Sequence, residues 1–133
     1  MFGPPAFAYV YFTYGMHWMF NVVAGPPGVP HAVLVRSLEP VTGLDLMAVR
    51  RRGMLPLAEG PARLTQAMDV TGRENGKDLV DSCLHIALPP PGLDSPFDYL
   101  VTKRIGVENS GEAKDYPWRF AVGGTPPSRR TPR

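Results

Sequence analysis

The segment Tyr9-Val10-Tyr11-Phe12-Thr13-Tyr14-Gly15-Met16-His17-Trp18-Met19-Phe20-Asn21 holds the side chains with the most distinctive chemistry in the chain. Aromatic rings crowd it, and a carboxamide closes it. Tyr9 and Tyr11 share one face of a strand by the two-residue alternation. Tyr14 stands before a glycine, at a corner from which a side chain can project. Flat rings beside an amide suit stacking on a nucleobase and reading of its edge. The same composition also suits a plain aromatic core, because such rings dominate protein interiors. Pattern alone leaves both readings open.

Arg36 is the second isolated feature. No carboxylate occurs before Glu39, and Arg36 is the only Lys or Arg in that stretch. It ends an apolar run, where an ion pair with Glu39 would be a structural use. Generic catalytic patterns are absent: there is no P-loop, dinucleotide glycine fingerprint or nucleophile elbow. His17, His31 and His85 are scattered without the paired spacing of zinc ligands, so no metal site is expected and each reads as structural or surface. Cys83 is the single cysteine, which excludes an internal disulfide and a cysteine metal cluster and fits a reducing compartment. Its neighbours Leu84, Ile86, Ala87 and Leu88 predict a buried, inert thiol, with only His85 close by in sequence as a base.

These residues need a scaffold, and composition bounds it. At 133 residues, 44% apolar and 20% charged, the chain is one ordinary globular domain or a piece of one. A wholly disordered chain, a coiled coil and a collagen-like fibre are excluded. Fourteen glycines and sixteen prolines call for many turns and short elements. A net charge of +2 does not by itself demand nucleic acid. Gly124–Arg133 carries Arg129, Arg130 and Arg133 and no acid, which suits either a polyanion contact or a solvated, disordered tail. The uncharged stretch before Arg36 would bury His17 and Asn21 in lipid, and it lacks the basic start of a signal peptide. No membrane partner is therefore expected.

The apolar periods predict strands at Phe7–Phe12, Met16–Ala24 and His31–Leu38, forming a central antiparallel hairpin or meander. Beyond Pro40 the period turns helical. Thr42 and Asp45 resemble a capping box, and Leu44, Met47 and Ala48 form the apolar stripe. That helix ends at Arg50-Arg51-Arg52 with Gly53 beyond, where the basic residues suit the helix dipole or a DNA contact. A second helix opens at Gly60-Pro61 and buries Leu64, Ala67 and Met68. Asn75-Gly76 is a turn, Leu84–Leu88 a short strand, and Asp94–Tyr99 irregular. Val101–Val107 is a strand or its exit loop, and Trp118–Val122 a last strand. The fold class is α+β, a single domain over residues 1–123 followed by the tail 124–133.

Five ordered blocks carry a resemblance. They are Tyr9–Met16 with Asn21, Val33–Pro40, Gly60–Met68, Arg104–Val107 and Pro117–Phe120. In order and spacing they are similar to the alkyladenine (3-methyladenine) DNA glycosylase family, over nearly the whole chain. The resemblance implies that family's α+β fold, lacking its first strands, and an enzyme of base excision repair. Such enzymes flip a damaged purine from duplex DNA and hydrolyse its N-glycosidic bond. It implies no cofactor, a monomer, double-stranded DNA with a damaged purine as partner, and a cytoplasmic location, on the nucleoid if bacterial.

Site roles follow from the same resemblance. Tyr14 would be the intercalating wedge, with Met16 and His17 beside it along the groove; the family usually places tyrosine where His17 stands. Tyr11 would line the base pocket, and Asn21 would guard its floor against guanine's extra amino group. Arg36 would hold the attacking water together with the backbone carbonyl of Ile105. The family's general-base glutamate, a stacking tyrosine and a pocket histidine precede the segment that Met1-Phe2 matches. Excision by this chain is therefore expected to be impaired, and Glu39 does not fit the vacant role. A non-catalytic DNA-binding fragment, or a remnant that keeps the wedge, is the alternative.

Overall fold

The computed structural model describes residues 1–88 and 99–122. The chain falls into two compact units, Met1–Ala87 and Leu88–Arg133. The first is built on a three-stranded antiparallel sheet: β1 (Ala8–Thr13), β2 (His17–Val23) and β3 (Ala32–Leu34), in that order. Tyr9 pairs with Asn21, Tyr11 with Met19, Thr13 with His17, and Asn21 in turn with Leu34. Directly opposed residues share a face, so this register sorts the sheet into two chemically different surfaces.

One surface is the core. Ala8, Val10 and Phe20 are buried with Leu64, Val70 and Leu79, and Trp18, Val22, Val35, Met68 and Leu84 pack around them. Leu64 comes from α2 (Pro61–Met68), which starts as its sequence dictates: Gly60 at φ 101° turns the chain and Pro61 occupies the first turn. Thr65, 2% exposed, fixes the helix to the sheet, its hydroxyl donating within 3.0 Å of the Trp18 carbonyl. A second helix, α1 (Leu44–Arg50), is tied to α2 by polar bonds. Arg50 Nη1 donates to the Ala67 carbonyl (3.1 Å), and Gln66 Nε2 to the Arg50 carbonyl (3.2 Å). Arg51 is buried and donates to Gln66 Oε1.

The outer edge of β1 is closed by the segment after α2. Ala8 N–H donates to the Lys77 carbonyl and Gly76 N–H to the Ala8 carbonyl, both at 2.8 Å. Val10 N–H donates to Asn75 Oδ1 at 2.9 Å, so the turn carboxamide completes the edge where backbone does not. A 3-10 turn at Gly72–Glu74 precedes it, capped by reciprocal bonds between Thr71 and Glu74. Burial pushes the Glu74 carboxyl up, but bonds from the Thr71 backbone and side chain and from Lys77 outweigh it and leave the group below its ordinary value.

The second unit is an antiparallel pair, β4 (Tyr99–Thr102) and β5 (Arg119–Val122), registered Tyr99 to Val122 and Thr102 to Arg119. Arg104 organises the connection between them. Its Nε and Nη2 donate to the Ala113 carbonyl at 3.1 and 2.8 Å, and its guanidinium lies 5.7 Å from the Trp118 ring centre.

The α+β class, the meander, both helices and the closing strand agree with the sequence. Five details differ. Tyr99, expected at the end of an irregular segment, opens β4 and pairs with Val122. The ladder of β3 covers only Ala32–Leu34, because the chain then swings to α2, with Gly60 N–H bonded to the Arg36 carbonyl at 3.0 Å. Gly43, at φ 73°, is the N-cap of α1, so Thr42 stands one residue too early to cap it. Leu84–Leu88 is not a strand; Ile86 N–H donates to the Leu79 carbonyl instead. Cys83 is exposed, since Leu84 turns inward and leaves the thiol outside. Residues 94–98 and the tail 124–133 lie outside the described residues.

Leu64 is 0% exposed at the centre of this packing. Leu64→Ala should lower the unfolding free energy by about 2–5 kcal/mol, read from the urea midpoint. A loss under about 1 kcal/mol would mean that α2 does not organise the core.

Candidate nucleic-acid interface

The β1–β2 hairpin turns through Tyr14, Gly15 and Met16. The Met16 N–H donates to the Thr13 carbonyl at 3.1 Å. Both central residues have positive φ, 52° at Tyr14 and 67° at Gly15. This is the sign pattern of a primed turn, which matches the twist of the flanking strands and favours Asn-Gly. Glycine accepts that geometry freely. Tyrosine is crowded there by its Cβ, at an expense of roughly 1–2 kcal/mol. Tyr14 is nonetheless 86% exposed. An aromatic ring held in a disfavoured backbone conformation and directed into solvent does nothing for folding. Such outliers gather where function requires them. Met16, 65% exposed, and exposed His17 flank it on the same hairpin end.

The sheet surface opposite the core carries Tyr9, Tyr11, Met19 and Asn21 by strand register. The Tyr9 and Tyr11 rings lie 5.3 Å apart, tilted by 33°. Tyr11 is half-exposed. Burial first, then the neighbouring Tyr9 and Tyr14 phenols, raise its pKa above the ordinary phenol value, so it remains a neutral hydrogen-bond donor at physiological pH. Asn21 is 7% exposed, and its Nδ2 donates to the Tyr9 carbonyl at 3.1 Å, which locks the amide at the bottom of this surface. The plain-core reading of the aromatic segment is thus half right. Phe12, Trp18 and Phe20 lie on the core side, whereas the tyrosines do not.

Arg36 is half-buried just past β3. The Val35 N–H donates to the Phe20 carbonyl at 3.0 Å, and the Arg36 carbonyl accepts from the Gly60 N–H at 3.0 Å, so Arg36 stands where the chain leaves the sheet for α2. Glu39 is exposed. None of the residues in β1, β2 or β3 is a carboxylate. Ile105 belongs to the second unit, in the turn after β4, where it is 45% exposed and precedes Gly106 at φ 74°. The first unit therefore carries Tyr11, Tyr14, Met16, His17 and Asn21 on its sheet and hairpin, with Arg36 just past β3, and Ile105 lies in the other.

Sequence reasoning missed a cleft of about 410 Å³ beneath the hairpin turn. Met16, His17 and Trp18 form one wall, and Arg50, Gln66, Asp69 and Thr71 form others. Asp69 and Arg73 are spaced as a helical ion pair, but the helix stops at Met68, so spacing alone did not imply contact. Among the described residues no cluster of three His, Cys, Asp or Glu side chains could hold a metal, and no helix is long and apolar enough to cross a membrane.

Comparison with known proteins gives the family. The family model for methylpurine-DNA glycosylase matches residues 1–126. A Burkholderia cenocepacia protein with 3-methyladenine DNA glycosylase in its name is 46% identical over 127 residues, 93% of this chain and 60% of its own length. Similarly named proteins of Carboxydothermus hydrogenoformans and Methanoculleus marisnigri are 49% and 47% identical, over 90% and 94% of this chain and 62% and 65% of their own lengths. The chain thus belongs to the methylpurine-DNA glycosylase family, and it spans about three-fifths of the length of these curated relatives.

If Tyr14 is held against its backbone preference, relieving it should stabilise the fold. Tyr14→Asn should raise the unfolding free energy by about 1 kcal/mol, with the urea m-value unchanged. A loss of stability would show that the ring packs on the protein.

Proposed function

We propose that this chain supplies the DNA-gripping and base-pocket portion of a glycosylase that removes alkylated purines from duplex DNA. The observation that carries the proposal is Tyr14, strained and 86% exposed at the hairpin apex. A rigid ring pushed into the minor groove fills the gap left by a flipped nucleotide. It thereby offsets an unstacking penalty of a few kcal/mol. Met16 and His17 lie beside that insertion along the groove. The flipped base enters the tyrosine surface, where Tyr11 lines the pocket.

Asn21 acts there as a fixed polar group. Its amide is tied to the Tyr9 backbone and does not swing away from an intruding substituent. A purine that carries an extra amino group at the 2-position then meets a clash or leaves a donor unmatched. This favours adenine-derived lesions over guanine. Arg36 orients the water that attacks the anomeric carbon as the base departs. Positioning of this kind contributes through orientation and through preorganised charge.

Water attack also requires a proton acceptor within hydrogen-bond reach. The sheet strands carry no carboxylate. That observation favours a second reading for the 133-residue chain by itself: a module that recognises damaged duplex without cleaving it.

Binding titrations with a hypoxanthine-containing duplex separate wedge from wall. Tyr14→Ser should weaken binding more than Tyr9→Ser, because only Tyr14 fills the stack; equal losses would count against the wedge. In single-turnover assays the 133-residue chain alone should release neither hypoxanthine nor 3-methyladenine above background. Detectable release would mean that the acceptor is within the chain after all.

A further inference from the structure

The wedge, pocket and water-holding residues leave the cleft beneath the hairpin unused. We propose that Arg50 and Arg73, bridged by Asp69 at this cleft, form a clamp for a phosphodiester of the DNA strand that passes the wedge. The inference rests on the glycosylase reading and assigns residues outside the wedge and base pocket.

The geometry supports it in three ways. First, two guanidinium groups converge on one carboxylate. Arg73 Nη2 lies 3.3 Å from Asp69 Oδ2, and Arg50 Nη2 lies 4.0 Å from the same oxygen. Two cations against one anion leave a local charge of +1. Second, the forks are held in place and not left to wander. Arg50 Nη1 is fixed on the Ala67 carbonyl at 3.1 Å, and Arg73 Nε on the Thr71 hydroxyl at 3.1 Å. Asp69 itself is set at φ 58°, as the residue that ends α2. A planar fork with fixed direction is the group best matched to a phosphate, and prior anchoring reduces the ordering lost on binding. Third, the clamp is placed beside the wedge. Arg50, Asp69 and Thr71 line the same cleft as Met16 and His17, the residues that follow Tyr14 through the turn. A ring inserted between base pairs brings the flanking backbone to that wall.

Asp69 has a definite part in this arrangement. Its side chain is 54% exposed, and it orients both arginines while cancelling only one of their charges. Phosphate can therefore displace the Asp69 contact without leaving a buried charge unpaired. Arg73, 70% exposed, is the member that substitution can remove without disturbing the helix packing; Arg50 also ties α1 to α2.

The test is the salt dependence of duplex binding by the full chain, with and without a hypoxanthine lesion. Arg73→Ala should weaken binding severalfold and equally for damaged and undamaged duplex. It should also lower the slope of log K against log salt by about 0.9, the signature of one lost phosphate contact. Lys114→Ala, which removes the same charge in the second unit, should leave the slope unchanged. The clamp is overturned if Arg73→Ala leaves the slope unaltered, or if Lys114→Ala lowers it equally. The glycosylase reading fails separately, if the unaltered chain retains no duplex or if Tyr14→Ser leaves the preference for damaged duplex intact.

Discussion

The bond from the Thr65 hydroxyl to the Trp18 carbonyl, together with Leu64 seated in the core, decides which surface of the sheet is inside. Strand side chains alternate strictly, so covering one face with α2 assigns every residue of the hairpin. Val10 and Phe20 go in. Tyr9, Tyr11 and Asn21 go to the other side. A slip of one residue would exchange the two sets and put the tyrosines against Leu64. The closed edge opposes such a slip, because Asn75 Oδ1 receives the Val10 N–H and the Lys77 carbonyl receives that of Ala8. The tyrosine surface is thus a consequence of how the back of the sheet is packed.

The hairpin apex shows the opposite logic. At several other positions of the first unit, unusual backbone is met with glycine: Gly43 and Gly60 before the helices, Gly76 in the turn at the β1 edge, although Ala6 and Arg52 also take positive φ. At Tyr14 the suitable residue would be asparagine or glycine, and tyrosine occupies the position instead. The turn imposes a direction on the ring. With φ set by two flanking strands and by Gly15, the side chain starts from a fixed backbone vector. In the proposed wedge role, less freedom is then lost on insertion into DNA, which is how preorganisation increases affinity. In that role a small sacrifice of stability in the free protein becomes an advantage in the complex.

Much of this was legible in the sequence, and the exceptions have physical causes. Long apolar periods gave the meander and α2, because alternation and helical spacing follow directly from backbone geometry. The apex was legible through Tyr14-Gly15, and Asn21 through its place at the end of an aromatic run. What escaped depends on single dihedrals or on contacts between distant segments. Gly43 at φ 73° took the cap from Thr42. Cys83 lies among apolar neighbours, but one residue's rotation of the chain places Leu84 inside and the thiol outside. The capping box formed at Thr71 and Glu74, where a short 3-10 turn gives no apolar period to betray it. The Arg50–Asp69–Arg73 group joins α1 to the segment after α2, and no local pattern reports such a meeting.

In the proposed role, the two kinds of recognition divide cleanly across the hairpin. Above it, rings and an anchored amide act over van der Waals distances and sense the shape and edge of one base. Below it, guanidinium groups act on phosphates that every duplex presents, and they carry no information about damage. Separation of this kind has a kinetic use. A protein that must examine many intact bases needs charge-based contacts that persist between sites and short-range contacts that reward only the right one. If stacking and charge were mixed in one pocket, each undamaged base would be held as tightly as a lesion. The register that puts Tyr11 and Asn21 on the face opposite the core, and the turn that carries Tyr14 past the cleft, keep the two apart.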